Sequence, residues 1–171
     1  LGCGPTRRED TIGIDRLDLP TVDIVADIEN GLDFLPSNSV DELYSSSCFE
    51  HVRNFENLMK EIVRVLKPDG KAYIFVPHFS TPYYYSDPTH VRFFGLYSFY
   101  YFVDTKYQLR RKVPDFYFDF KIKITSLKLI FDAPFPLRSL FMRCIGTIFN
   151  ISRFMQELYE GSFCYIFPCH G

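Results

Sequence analysis

Tryptophan is absent from this chain of 171 residues, and so are several features that mark specialised classes of protein. Its 19 Lys and Arg do not outnumber its 21 Asp and Glu, so it lacks the basic excess of a nucleic-acid-binding surface, and we expect no nucleic-acid partner. No uncharged apolar run is long enough to span a bilayer. No basic segment followed by an apolar run opens the chain, which predicts a cytoplasmic protein.

Cysteine is scarce and irregularly placed. The five cysteines form no Cys-x-x-Cys pair and leave one over, a pattern typical of reduced thiols rather than of a disulfide framework. Cys164, Cys169 and His170 are close enough in sequence to suggest a metal site. Buried small side chains explain these cysteines better, and we expect no metal ion.

What the chain does contain is a globular composition, with 47% hydrophobic and 23% charged residues. Short apolar runs bounded by turn residues predict four strands, at residues 11–15, 22–28, 40–45 and 72–77. Apolar residues at spacings of three and four predict a helix over 55–66, with Asn54 as its N-cap and Pro68-Asp69-Gly70 as its stop. The strand, helix and strand form a βαβ unit.

The second half has a different pattern. Residues 116–131 alternate apolar and polar side chains as an amphipathic strand does. Residues 137–158 predict one long helix interrupted by Gly146, and residues 162–167 predict a last strand that pairs antiparallel with 116–131. The expected fold is a single α/β domain over 1–171, a Rossmann-like doubly wound sheet that is mostly parallel with a C-terminal antiparallel strand.

Glycines and acids follow three successive predicted strands. Gly2 and Gly4 lack a Cβ, so their backbone can approach a ligand closely. Asp15 is placed to accept hydrogen bonds from a ribose diol, and Asp27, with the Ile28 N–H, to meet an adenine amino group. Together these residues predict an adenosine pocket. The alternative is that the acids belong to ordinary surface turns.

The segments Leu1–Gly4, Gly13–Asp15, Ala26–Ile28, Ser39–Val52 and Glu61–Gly70 resemble, in order and spacing, the class I S-adenosylmethionine-dependent methyltransferases of the type 11 family. The resemblance covers residues 1 to about 80. We expect the chain to be a piece of such a domain, cut within structural elements at both ends. It implies S-adenosylmethionine as cofactor and a division into a cofactor-binding half (1–77) and a substrate-side half (78–171). The implied cofactor residues are Gly2, Cys3 and Gly4 at the methionine end, Asp15 at the ribose, Asp27 and Ile28 at the adenine, and Ser45 and Ser46 facing the transferred methyl.

The chain departs from the family pattern in its first crossover. Only ten residues separate Gly4 from Asp15, and Pro5-Thr6-Arg7-Arg8 stands where a third glycine is usual. This crossover is therefore predicted to be a loop or a single turn. A nicotinamide-dependent oxidoreductase is disfavoured, because its pyrophosphate needs a helix N-terminus.

Candidate catalytic residues follow the fourth predicted strand. An oxygen nucleophile benefits from a general base near neutral pKa, and His78 or His90, oriented by Asp87, could serve. Equally, these residues could only brace the loop. Ser45-Ser46-Ser47-Cys48 stands where amino methyltransferases of DNA carry an Asn/Asp-Pro-Pro-aromatic tetrad, which argues against DNA methylation.

The expected function is methyl transfer to oxygen, less readily to carbon or nitrogen, of a small-molecule, sugar or lipid-linked acceptor. The alternative is a non-catalytic module that binds a partner through 137–158. This segment could pack over the substrate cleft, which we favour, form a dimer contact, or lie peripherally on a membrane surface. The consecutive tyrosines Tyr83, Tyr84 and Tyr85 cannot all point inward. The sequence does not predict the oligomeric state.

Overall fold

The computed structural model describes residues 1–171, which divide into two compact units. The N-terminal unit, Leu1–Val76, contains the strands β1 (Ile14–Asp15), β2 (Ile24–Val25), β3 (Val40–Ser46) and β4 (Leu66–Phe75) and the helix α1 (Phe55–Val65). The C-terminal unit, Pro77–Gly171, contains the helices α2 (Pro136–Phe149) and α3 (Arg153–Leu158) and a π-helical turn, Tyr159–Phe163. None of the helices combines the length and apolar character needed to cross a bilayer.

The four strands form two parallel pairs, β1 with β2 and β3 with β4. The start of the chain lies between the pairs: the Leu1 amine donates to the Tyr44 carbonyl of β3 (2.6 Å), and the Gly2 N–H donates to the Ile14 carbonyl of β1 (2.8 Å). No strand ladder joins the two pairs, which form separate sheets. The parallel α/β character is present, whereas the single doubly wound sheet is not confirmed.

Helix α1 follows its predicted pattern closely. Its buried residues recur at spacings of three and four and form one apolar stripe: Phe55, Leu58, Met59, Ile62 and Val65. Asn54 occupies the N-cap position but makes no capping bond through its side chain. Instead, the Glu29 carboxylate accepts the N–H groups of Arg53 (2.5 Å) and Asn54 (2.9 Å), satisfying donors at the start of the helix.

The predicted helix stop lies inside a strand. Helix α1 ends at Val65, and β4 begins at Leu66. Val40 faces Leu66 across the ladder and Glu42 already faces Lys71, so residues 67–70 bulge out of β4. Pro-Asp-Gly therefore shapes this bulge instead of ending the helix.

The C-terminal unit is built around an apolar and aromatic core. Its buried members are Leu96, Tyr100, Val103, Leu109, Val113, Leu129, Phe131, Met142, Phe149, Tyr159, Cys164 and Cys169. Tyr159 lies among the other rings, with its ring centroid 5.0 Å from that of Phe131 and 5.1 Å from that of Phe149. The buried aromatic residues of this half therefore serve packing.

Three expectations for this unit are wrong. Residues 116–131 form no strand. Their alternation of apolar and polar side chains is reflected in part in burial, since Ile122 and Ile124 are partly buried and pack against the core. Residues 162–167 lie in and after the π-helical turn, because Tyr159 is anchored in the core there. The predicted long helix is two helices, broken after Phe149 where the Ser152 hydroxyl caps α3.

The predicted antiparallel pairing between 116–131 and 162–167 does not form, and the C-terminal residues bond to that segment at one residue, Ile130. The Ile130 N–H donates to the Gly171 carbonyl (2.5 Å), and the Ile130 carbonyl accepts from His170 (2.6 Å). Both partners lie beyond the segment predicted to pair. An antiparallel strand is therefore not confirmed.

Candidate functional site

The glycine loop packs directly on the end of β1. Its Gly2 and Cys3 N–H groups point at the Ile14 carbonyl, and the Gly4 N–H donates to Asp15 Oδ2 at 2.9 Å. Gly2 (φ +61°) and Gly4 (φ +54°) both adopt the left-handed conformation that favours glycine. As expected, the crossover from residue 5 to residue 13 contains no helix.

The Asp15 carboxylate is held by backbone N–H groups on both sides. While Oδ2 accepts from Gly4, Oδ1 accepts from Leu17 at 3.0 Å. Burial by itself raises the pKa of Asp15. The hydrogen bonds from Leu17 and Gly4, together with the N–H and the charge of Arg16, lower the pKa by more than burial raises it, so the pKa lies below its ordinary value. Asp15 is thus an ionised acceptor fixed beside the glycine loop.

Asp27 follows β2 on the neighbouring strand. The Ala26 N–H bonds to the Asp15 carbonyl (2.9 Å), so the ends of β1 and β2 lie side by side. One Asp27 oxygen accepts the Glu29 N–H (3.0 Å) and caps the turn Ile28–Asn30, while the side chain is exposed. Ile28 is buried as part of the apolar core.

Ser45 and Ser46 end β3 and point to opposite sides of the strand, Ser45 buried and Ser46 exposed. Apart from a weak interaction with the Cys48 thiol, the buried Ser45 hydroxyl has no hydrogen-bond partner. Cys48 in turn packs against Gly2, where an added Cβ would come within 2.8 Å of the Cys48 Cβ. The end of β3 therefore borders the glycine loop through Cys48.

The predicted catalytic residues lie in the C-terminal unit, and His78 is buried there, with 3% of its surface exposed. Its Nε2 lies 2.8 Å from Glu160 Oε2, and its Nδ1 lies 2.8 Å from the Ser80 hydroxyl and accepts the Ser80 N–H (3.2 Å). Both ring nitrogens are engaged. This geometry favours the bracing role for His78 over the general base.

His90 and Asp87 share one short loop. The Nδ1 of His90 lies 2.9 Å from the Tyr84 carbonyl, which can only accept, so Nδ1 carries a proton. Its Nε2 faces Asp87 Oδ2 at 3.6 Å, and Asp87 also accepts the Thr89 N–H and hydroxyl. The structure thus brings this His–Asp pair together and leaves His78 in a separate network.

The three tyrosines of the same loop divide as expected. Tyr84 is buried, and its hydroxyl donates to the Arg92 carbonyl at 2.6 Å. Tyr83 and Tyr85 are 53% and 64% exposed. These two rings form an exposed aromatic edge beside the His90 loop.

The thiols form no metal cluster with His170. Cys164 and Cys169 are buried, while His170 is exposed, and all five cysteines are free. Burial raises the pKa of Cys169 to about 12, which keeps this thiol protonated and a poor ligand.

The parallel strands, the intervening helix and the glycine loop define the N-terminal unit as a Rossmann-like α/β domain. Residues 9–74 match the family model described as a methyltransferase domain, type 11, so this part of the chain is similar to that methyltransferase family. The match includes Asp15, Asp27, Ser45 and Ser46, whereas the glycine loop precedes it and the candidate bases His78 and His90 follow it. No curated protein and no solved structure matches the chain.

Sequence reasoning missed several partners of the site. Cys48 is one, although it directly follows the three serines that the sequence did single out. Thr21 is another, since its hydroxyl donates to the Gly4 carbonyl at 2.5 Å. Glu160, which binds His78 from 82 residues away, had no local signal, because only tertiary folding brings the two together.

Proposed function

We propose that this chain binds S-adenosylmethionine at the glycine loop and the ends of β1 and β2, and transfers the methyl group to an acceptor. The observation that carries the proposal is the hydrogen bond from the Gly4 N–H to Asp15 Oδ2, 2.9 Å long. This hydrogen bond joins the glycine loop, whose glycines adopt the left-handed conformation, to the ionised Asp15 at the end of β1. The match of residues 9–74 to a methyltransferase family model supports the same reaction.

The side chains present fit such a cofactor. Asp15 would accept hydrogen bonds from the ribose hydroxyls, while Asp27 and the Ile28 N–H would meet the adenine. Gly4, where nothing lies within 4 Å of an added Cβ, would leave room for the methionine end beside Gly2 and Cys3. The under-satisfied Ser45 hydroxyl offers a polar group at the end of β3. When bound, the cofactor supplies a methyl group activated by its sulfonium, and the protein contributes alignment and exclusion of water.

The acceptor we propose is an oxygen of a small-molecule, sugar or lipid-linked compound. An oxygen acceptor must lose its proton as it is methylated, and His90 is the better of the two candidate bases. Its protonated Nδ1 leaves the lone pair on Nε2, whose 3.6 Å contact with Asp87 Oδ2 would stabilise the ring once it is cationic. The corresponding nitrogen of His78 is held more tightly, by a 2.8 Å hydrogen bond to Glu160. The exposed rings of Tyr83 and Tyr85 could stack on a sugar acceptor.

Calorimetric titration with S-adenosylmethionine tests the cofactor site. We expect Asp15→Asn to weaken binding about tenfold or more, because a charged acceptor of hydrogen bonds is lost, while the exposed Asp18→Asn leaves affinity unchanged. NAD should not compete. No binding by a chain shown to be folded, or equal affinity for Asp15→Asn, would contradict the proposal.

A second candidate is a non-catalytic module with a methyltransferase fold. The burial of His78 favours this non-catalytic function, because both ring nitrogens are engaged and His78 is therefore unavailable as a general base. Such a module would bind the cofactor without forming S-adenosylhomocysteine. Chromatographic detection of S-adenosylhomocysteine, formed with sugar-phosphate or polyprenyl-linked acceptors, separates the two functions.

A further inference from the structure

Helix α2 leaves most of its apolar surface uncovered. It buries only one narrow stripe, consisting of Met142, Gly146 and Phe149. Leu137 is 86% exposed, Leu140 64% and Phe141 53%, and Ile148 continues the exposed line at 47%. Single exposed apolar residues are common, but several on one face of a helix mark a surface that contacts something else.

The exposed apolar residues form one line with basic residues on both sides. Leu137, Phe141 and Ile148 are spaced by four and seven residues, which aligns them along the helix. Arg138 lies on one side of this line and Arg143 on the other, by the turn of about 100° per residue. Helix α2 contains no acidic residue.

The charge of the whole C-terminal unit has the same sign. Residues 77–171 contain 11 Lys and Arg against 7 Asp and Glu, a net charge of +4, whereas residues 1–76 contain 8 against 14, a net charge of −6. Arg143 has one acidic neighbour, Asp132 at 3.9 Å, and both side chains are about half exposed or more, so their attraction is weak. The basic residues around α2 remain available to an anionic partner.

We propose that α2 binds the surface of an anionic membrane, with its axis in the plane of the interface. Leu137, Leu140, Phe141 and Ile148 would enter the boundary between headgroups and acyl chains. Arg138 and Arg143 would reach lipid phosphates on either side. Because the helix is amphipathic and too short to span, it lies on the membrane.

The surface continues onto α3 with the same character. Ile151 is exposed just before α3, and Phe154 is half exposed, with the Arg110 guanidinium 5.3 Å from the centre of its ring. A basic side chain over an exposed ring suits the headgroup region, where aromatic side chains are enriched. Exposed apolar, aromatic and basic side chains thus also occur in the segment that directly follows α2 in the chain.

Charge decides against a second copy of the chain as the occupant. In a symmetric contact the same face meets itself, so the two copies of α2 would contribute four arginines and no carboxylate. An anionic lipid surface instead offers the opposite charge to both arginines. The inference does not depend on the proposed methyl transfer, because no cofactor residue belongs to α2.

Flotation with lipid vesicles tests the proposal on the whole chain. We expect binding to vesicles of phosphatidylcholine with phosphatidylglycerol, weaker binding to phosphatidylcholine alone, and loss of binding as salt is raised. The Leu137→Ser, Phe141→Ser double variant should bind about tenfold more weakly or worse. Arg138→Gln and Arg143→Gln should each weaken binding to the anionic vesicles about fivefold.

The matched control is the Phe116→Ser, Tyr117→Ser double variant. It removes two rings of the same unit that are 77% and 61% exposed but lie outside α2, so it should bind as the unmodified chain does. Absence of binding to anionic vesicles would overturn the proposal, as would equal losses in the control. Sedimentation that shows α2-dependent dimers without vesicle binding would assign the face to a second copy and would also overturn it.

Discussion

His78 and Glu160 lie 82 residues apart in sequence and are joined by a 2.8 Å hydrogen bond between Nε2 and Oε2. The second oxygen of Glu160 accepts the Leu96 N–H at 3.0 Å. On its other side, His78 reaches Ser80, whose hydroxyl lies 3.3 Å from that of Tyr159. This buried network links the start of the C-terminal unit to its last helical turn.

The network predicts unequal losses of stability when the two histidines are changed. His78→Ala removes the partner of a nearly buried carboxylate and should lower the free energy of unfolding by about 3 kcal/mol. His90→Ala loses the hydrogen bond to the Tyr84 carbonyl and a longer contact with the half-exposed Asp87, and should cost only about 1 kcal/mol. Urea unfolding followed by circular dichroism measures both.

The same pair separates structure from catalysis. If His90 is the base, His90→Ala should reduce methyl transfer about a hundredfold or more at unchanged cofactor affinity. The Glu160→Gln variant, which disturbs only His78 and Leu96, should share the instability of His78→Ala. Equal stability of His78→Ala and the unmodified chain would show that the network is not a brace.

The lowered pKa of Asp15 predicts how stability changes with acidity. A carboxyl group whose pKa is depressed by folding stabilises the protein above its unfolded pKa of about 3.9, and this contribution is lost as the pH falls through the folded value. The urea midpoint of the unmodified chain should therefore fall more steeply below pH of about 4 than that of Asp15→Asn. The exposed Asp18→Asn serves as control, and identical slopes for the two variants would contradict the assignment.

Local pattern predicted the parts of the fold that local interactions determine. The spacing of apolar residues places α1 within one residue of its observed end, because one buried stripe is sufficient to define an amphipathic helix. Asp15 and Gly4 were predicted to share a site because each follows a predicted strand, and the Gly4 N–H does donate a hydrogen bond to Asp15. Likewise, Tyr83 to Tyr85 divide into one buried and two exposed rings.

The failures come where distant contacts override local pattern. Residues 122–131 alternate like a strand but find no neighbouring strand along their length. Only isolated backbone hydrogen bonds form there, from the Ile122 N–H to the Phe102 carbonyl and between Ile130 and residues 170–171. Tyr159 is buried in the core and donates a hydrogen bond to the Phe167 carbonyl (3.0 Å). This contact holds residues 162–167 in a turn, although their composition favours a strand. The burial of His78 could not be predicted for the same reason, because its partner Glu160 is distant in sequence.

The cysteines should differ sharply in reactivity. Cys144 is exposed on α2, whereas Cys169 is fully buried and its pKa is raised to about 12 by that burial. Because the thiolate is the reactive form, iodoacetamide should modify Cys144 rapidly and Cys169 only after unfolding. Mass spectrometry of digested samples over time measures both rates. Cys144→Ser should lose the rapid reaction, and rapid labelling of Cys169 in the folded chain would contradict its placement.

Two glycines predict opposite responses to the same substitution. Gly146 lies inside α2, where an added Cβ would come within 2.9 Å of the Phe131 ring and 3.2 Å of its Cβ. Alanine favours the helix by about 1 kcal/mol, but crowding in a packed core costs about 1–3 kcal/mol, so Gly146→Ala should destabilise the protein. Gly161 lies in the π-helical turn with nothing within 4 Å of such a Cβ. Gly161→Ala should therefore stabilise the protein by about 0.5–1 kcal/mol, mainly by restricting the unfolded chain. Thermal unfolding of the two variants measures the difference, and a gain in both would show that Phe131 can move away from α2 at little cost.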